Sequence, residues 1–323
     1  DPRRFCHFLH DRCKELGVQF RFNAHAIALA RSPTSEQFTS VTIEQTTPSG
    51  PSSYSPGDTT TQQTSTTTTT TTKTQTQEVL PCNALVVAAG PWTPRVLSTL
   101  LPNSTVKLRM NKTSSHTAGN HILIRNPHWN PDTGDDDDSA GGVTQVFFNN
   151  VLPGATRLDV TSFLGGYLYL GGWGAIPEDL PSDADKIGPQ PGEIKAMLEV
   201  ARRVLDLGSA EGEVEVVSAG RCYRPLAEPN RPVITRVPWG LLGDSRKRDG
   251  VGGIDGGGED RISVANGPVS PVIGGLYINT AHNSDGMTLG PGSGKLMSEL
   301  LLGRETSVPA GGFGLDNGRL ERL

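Results

Sequence analysis

Three short stretches of the sequence carry residue types that chemistry can use. The first is Ala84-Leu85-Val86-Val87-Ala88-Ala89-Gly90-Pro91-Trp92-Thr93. An apolar run ends in Ala-Ala-Gly, and Pro91 opens a helical pattern through Val96, Leu97 and Leu100. Small residues at the carboxyl end of a buried strand let a ligand approach the backbone; they also suit a tightly packed strand-to-helix turn. The second stretch is Asn279-Thr280-Ala281-His282-Asn283-Ser284-Asp285-Gly286-Met287-Thr288-Leu289-Gly290-Pro291-Gly292-Ser293-Gly294-Lys295. A strand ends, a polar glycine-rich loop follows, and a helix is expected from about Pro291. The free amides at such a helix start stabilise an anion or a polarised carbonyl. Gly294-Lys295 does not complete a phosphate loop, because Leu289 stands where the first Gly belongs and Leu296 replaces the Ser or Thr. The third is Gly220-Arg221-Cys222-Tyr223-Arg224-Pro225-Leu226, followed by Arg231-Pro232-Val233-Ile234. An Arg held before Pro can grip a carboxylate with a fork of two hydrogen bonds, and an ordinary surface Arg gives the same pattern.

The elements that must position these residues follow from periodicity. Phe5, Phe8, Leu9, Cys13 and Leu16 fall on one helical face, and Gly17 closes the helix. Strands are expected at Val18–Phe22, Ala26–Ala30, Phe38–Glu44, Val143–Phe148, Tyr167–Leu170, Val214–Ser218, Pro232–Val237 and Leu276–Thr280. Helices are expected at Glu193–Leu207 and Ser293–Leu302. Residues 59–77 hold 13 Thr and four Gln in 19 positions. Such a tract buries too little apolar surface to offset its ordering entropy, so residues 47–78 are expected to be a disordered insertion. The Asp135–Asp138 run and the glycine-rich 243–258 stretch read as surface loops. The acidic run lacks the alternating ligands, central Gly and closing Glu of a calcium loop, and no metal site is expected.

Composition narrows the function classes. The chain has 323 residues, 35% of them hydrophobic, with 39 Gly in addition. That is enough apolar material for a core. A net charge of −5 argues against nucleic acid as a partner. The longest apolar stretch, Ala84 to Gly90, is far short of a membrane span, so no integral membrane segment is expected. Cys6, Cys13, Cys82 and Cys222 form no C-x-x-C pair. Reduced thiols and no signal-peptide pattern give a cytoplasmic expectation.

In this order, the three stretches resemble the FAD-dependent oxidoreductases of the D-amino-acid oxidase and glycine oxidase type. Leu16-Gly17-Val18 matches the helix end that leads into strands. Val86 to Thr93 matches a strand ending in Val-Val-Ala-Ala-Gly-x-Trp-Thr, and Arg224-Pro225 with Pro232-Val233-Ile234 matches a late Arg-Pro followed by Pro-x-Ile. Gly275 to Leu300 follows Gly-Leu-Tyr-x-x-x-x-His-x-x-x-Gly-x-x-Leu-x-Pro-x-x-Gly-Lys-x-x-x-Glu-Leu. The stretch from Asp159 to Glu178 is similar to fungal members of uncertain substrate.

The resemblance implies an α/β (α+β) fold: a Rossmann-like FAD-binding domain (1–46, 79–103 and 271–303), a mostly antiparallel substrate domain (104–270) and a tail (304–323). It implies FAD as cofactor and an amine or amino acid as substrate, oxidised by hydride transfer to flavin N5. Ala88, Ala89, Gly90 and Trp92 would line the cofactor cleft, and Ala281, His282, Asn283, Gly286, Met287 and Thr288 would edge the flavin ring. Arg224 would hold a substrate carboxylate. His282 is either a catalytic base or a hydrogen-bonding loop residue, and Cys222 either a covalent flavin attachment point or a buried thiol.

Two departures stand out. Asp285 occupies a place where members often carry an aromatic residue or Arg. The family's opening strand and Gly-x-Gly-x-x-Gly turn do not occur, so the chain is expected to lack that first βαβ unit and to be a fragment or impaired in FAD binding. A catalytically inactive relative acting in trafficking or regulation, and a dehydrogenase passing electrons to an acceptor other than O₂, are the competing expectations. No protein partner is indicated.

Overall fold

The amphipathic pattern at the start forms helix α1 (Pro2–Glu15). It ends where Gly17 turns to φ +87°. Gly17 N–H then reaches the Lys14 carbonyl and Val18 N–H the Cys13 carbonyl, a Schellman closure. A computed structural model describes residues 2–32, 35, 37–47, 74–106, 108, 110, 118–130, 144–152, 155–163, 165–174, 179–208, 214–228, 230–243 and 274–315. The surface loops expected at Asp135–Asp138 and 244–258 lie outside these residues.

Strands β1 (Ala24–Arg31), β2 (Phe38–Thr47) and β3 (Thr74–Pro81) make an antiparallel meander. Two expectations change here. Val18–Phe22 is not a strand: Asn23 sits at φ +53°, which breaks the extended path, and the Phe20 ring folds back onto His10 at 4.3 Å. Residues 74–78, expected within the disordered insertion, are instead strand. β3 begins at Thr74 and pairs Thr74 with Thr47 through to Glu78 with Ile43, as β-branched threonines beside a ready partner strand allow. Residues 48–73 lie outside the description.

Strand β4 (Ala84–Val87) leads into helix α2 (Thr93–Leu100). An antiparallel sheet follows, of β5 (Ala118–Arg125), β6 (Gln145–Leu152), β7 (Ala155–Phe163), β8 (Tyr167–Gly174) and β9 (Val216–Tyr223), ordered β6-β7-β8-β5-β9. Helix α3 (Pro191–Val204) covers one face, where Ile122, Ile124, Leu158 and Leu170 meet Met197, Val200 and Ala201. The alternation of these strands leaves the other face to His121, Leu123, Asp159 and Tyr169.

Strands β10 (Val233–Arg236) and β11 (Gly275–Thr280) complete a third sheet, β10-β11-β4. β11 runs parallel to β4 and antiparallel to β10. Val233–Arg236, assigned by sequence to the substrate region, therefore belongs to the sheet of the strand-loop-helix motifs, where Val233 and Ile234 are buried. Leu276 and Ile278 pack towards Val87 and Leu97 on one side of this sheet. Tyr277 and Ile234 meet Leu296 and Met297 of helix α4 (Gly286–Leu301) on the other. A strand buried on both faces reads as a continuous apolar run, as β4 and β11 do.

α4 starts five residues before the expected Pro291. Leu289 N–H bonds to Asp285 O at 2.8 Å, so the helix is under way before the proline. The ring leaves Met287 O without its helical donor, and Met287 is exposed, so water can serve that carbonyl.

Candidate active site

The in-phase register of β4 and β11, from Ala84↔Gly275 to Val87↔Ile278, brings their carboxyl ends side by side. In open α/β sheets this is where ligands bind. After β4, Gly90 adopts φ +52° and its carbonyl accepts hydrogen bonds from Thr93 Oγ1 (2.8 Å) and Thr280 Oγ1 (3.0 Å). Both threonines are fully buried. The Ala-Ala-Gly turn is thus bolted to the end of β11. Trp92 directs its indole N–H to Pro181 O at 2.8 Å, and Arg95 donates to Pro181 O and Ser182 O, so the segment before α3 is tied to the start of α2.

After β11 the backbone is strained. Ala281 (φ +67°) and Asn283 (φ +55°) adopt left-handed conformations without being glycine. This costs about 1–2 kcal/mol for a residue such as alanine, and such strain clusters at ligand-binding turns. Ala281 is buried, while Gly286, Met287 and Thr288 are exposed in the first turn of α4. Asp285 is the N-cap but makes no side-chain capping bond. His282 Nε2 lies 2.8 Å from Ser293 Oγ, which anchors the ring to α4 and leaves Nδ1 for any other partner. Burial lowers the His282 pKa below the ordinary imidazole value.

Asn283 N–H bonds to Pro225 O at 3.2 Å. This joins the β11–α4 loop to the segment leaving β9, where half-buried Arg224 stands. Cys222, two residues earlier, is exposed rather than buried. On the strand two places over, burial raises the Tyr169 pKa, with Cys222 and Asp159 adding to the rise and Arg224 opposing it. Asp159 on β7 stands opposite Gly171, two residues along β8 from Tyr169. The His121 ring stacks on Tyr169 with centroids 5.6 Å apart, and burial lowers its pKa. The sequence reading did not single out His121, Asp159 or Tyr169. Only strand register unites residues so far apart in the chain, although the interior glycines Gly171 and Gly220 were a signal of close approach.

Residues 1–300 match the family model described as FAD dependent oxidoreductase. The chain belongs to this family. No curated protein matches the sequence. Among solved structures, L-amino acid deaminase from Proteus myxofaciens in complex with anthranilate is similar over 96% of this chain and 59% of its own, at 13% identity and a TM-score of 0.54. L-amino acid deaminase from Proteus vulgaris, lacking its specific insertion, is similar over 95% of this chain and 52% of its own, at 17% identity and a TM-score of 0.52. L-proline dehydrogenase from P. horikoshii is similar over 93% and 54%, at 9% identity and a TM-score of 0.50. The chain spans about half the length of these relatives, and at such identities the likeness shows the fold.

The turns after β4 and β11 leave room for the FAD of this family beside them. A Cβ on Gly90, Gly286 or Gly290 would meet nothing within 4 Å, so a flat group can come close to these backbones. The first amides of α4 have no capping side chain. Asn279 Oδ1, beside Thr280, is buried without a hydrogen-bond partner among the described residues. None of the helices among these residues is long and apolar enough to cross a membrane.

The two half-buried imidazoles, His121 and His282, give a pH dependence of stability. Their folded pKa values lie below the unfolded value of about 6.5. On acidification the unfolded chain takes up protons first, so stability falls as pH drops below about 6.5. Urea midpoints at pH 7.5 and 5.5 should differ in that direction. The His121→Gln/His282→Gln double variant should shrink the difference; an unchanged difference would remove both residues as its source.

Proposed function

We propose that the protein oxidises an amino acid, or a related amine, at the C–H bond beside its nitrogen, with O₂ as the final electron acceptor. The observation that carries this reading is the Asn283–Pro225 hydrogen bond, which sets the strained β11–α4 loop beside Arg224. When bound, FAD supplies at N5 the acceptor for the substrate's hydride. Arg224 holds the substrate carboxylate and so fixes which C–H faces the ring. The uncapped start of α4 favours negative charge at the end of the ring nearest it. Loss of a hydride and an amine proton leaves the imine, and with the hydride transferred directly, no strong base is required of the protein. His282, tied to Ser293, positions the loop through a hydrogen bond. Helix α1, strands β1–β4, α2, β10, β11 and α4 form the cofactor side, and the β5–β9 sheet with α3 forms the substrate side.

The test is a visible absorption spectrum of the purified protein before and after acid precipitation. We expect a flavin band that is released into the supernatant, and O₂ consumption with some member of an amino-acid panel. A band that stays with the pellet assigns a covalent link to the exposed Cys222, to be checked by the mass of its tryptic peptide. A protein with no band, even after incubation with FAD, overturns the reading for this chain.

A further inference from the structure

The open face of the five-stranded sheet holds two rings in an unusual posture. A Cβ on Gly171 would lie 2.6 Å from Tyr169 Cε1 and Oη, and a Cβ on Gly220 would lie 2.6 Å from His121 Cε1 and Nε2. Real Cβ atoms do not approach so closely. The Tyr169 ring therefore lies down over Gly171 on its own strand, and the His121 ring over Gly220, its cross-strand partner on β9. Any other residue at either glycine would lift the ring away from the sheet. The two rings are inclined by only 26° with centroids 5.6 Å apart, so both turn a π face in nearly the same direction. α3 covers the opposite face, and both rings remain half-buried rather than covered. Burial lowers the His121 pKa, which favours the uncharged ring. Arg224 follows directly on the end of β9, the strand on which Gly220 pairs with His121.

We propose that His121 and Tyr169, laid flat by Gly220 and Gly171, are the floor on which the substrate side chain rests, and that they select a planar aromatic side chain. The inference rests on Arg224 gripping the carboxylate of the same molecule. A carboxylate held at Arg224 places the attached group over the floor, and a planar ring gains offset stacking there that a puckered aliphatic ring of similar size does not. Both residues are positioning residues: they act on which molecule is bound, and neither takes part in bond making.

Isothermal titration calorimetry on the full chain, with benzoate and cyclohexanecarboxylate as probes, tests this. Wild type should bind benzoate about threefold to tenfold more tightly than cyclohexanecarboxylate. Tyr169→Leu should remove that preference by weakening benzoate alone, and Tyr169→Phe should keep it. Gly220→Ala should reduce it by lifting His121. In wild type, benzoate should shift the His121 ring-proton resonances, a readout that needs no variant to fold. Equal binding of the two probes, with His121 resonances unmoved, overturns the floor and leaves the Arg224 reading standing. Failure of both carboxylates to bind a flavin-loaded sample instead overturns the carboxylate site itself, and the floor with it.

Discussion

Arg224→Ala is expected to lower kcat/KM for an amino-acid substrate about 10- to 100-fold, chiefly through a raised KM. A hydrogen bond to a charged group contributes about 1.5–3 kcal/mol, and each 1.36 kcal/mol or so is tenfold. The contact to the carboxylate exists before the C–H bond breaks, so it is present in ground and transition states alike. Its loss therefore falls on KM rather than kcat. Arg224→Lys should recover only part of the loss, because an ammonium places a point charge where a planar fork is needed. An amine substrate without a carboxylate should be nearly indifferent to either change. Steady-state kinetics on the flavin-loaded protein decides the matter, and unchanged constants for the amino acid would take Arg224 out of the site.

The parts of the fold legible in the sequence were those in which local pattern and tertiary role agree. The apolar runs of β4 and β11 announce strands buried on both faces, and the register then puts Gly90 and Thr280 within hydrogen-bonding distance. The helical period of α3 survives because its apolar stripe has a sheet to meet. Where several partners were open, sequence failed. Val233–Arg236 is four residues long, and nothing in them says whether they join β11 or the antiparallel sheet. The stripe of α1 is legible as a pattern, yet Phe8, Leu9 and Leu16 are exposed in the described residues. The site divides the same way. Its loop was visible because glycines and a proline crowd into one stretch. Its aromatic floor was not, because His121 and Tyr169 become neighbours only through the β5–β8 ladder.

Leu276→Ala should be the most damaging single core change of those near the site. Leu276 is fully buried near the amino end of β11, the strand between β10 and β4. Truncating a buried leucine costs about 2–5 kcal/mol, with the larger values where the surroundings cannot collapse into the hole. Collapse is hindered here, because β11 is held by ladders on both edges and packed on both faces. Against a typical stability of about 5–15 kcal/mol, that is a large fraction. The urea midpoint should fall accordingly. Retained flavin should also decline, since the strained Ala281–Asn283 turn depends on the end of β11 staying fixed. Val79→Ala, on an exposed position of β3, is the control and should change stability by no more than about 0.5 kcal/mol. A Leu276→Ala protein as stable as that control would mean that β11 is not the central, doubly buried strand on which the site is built.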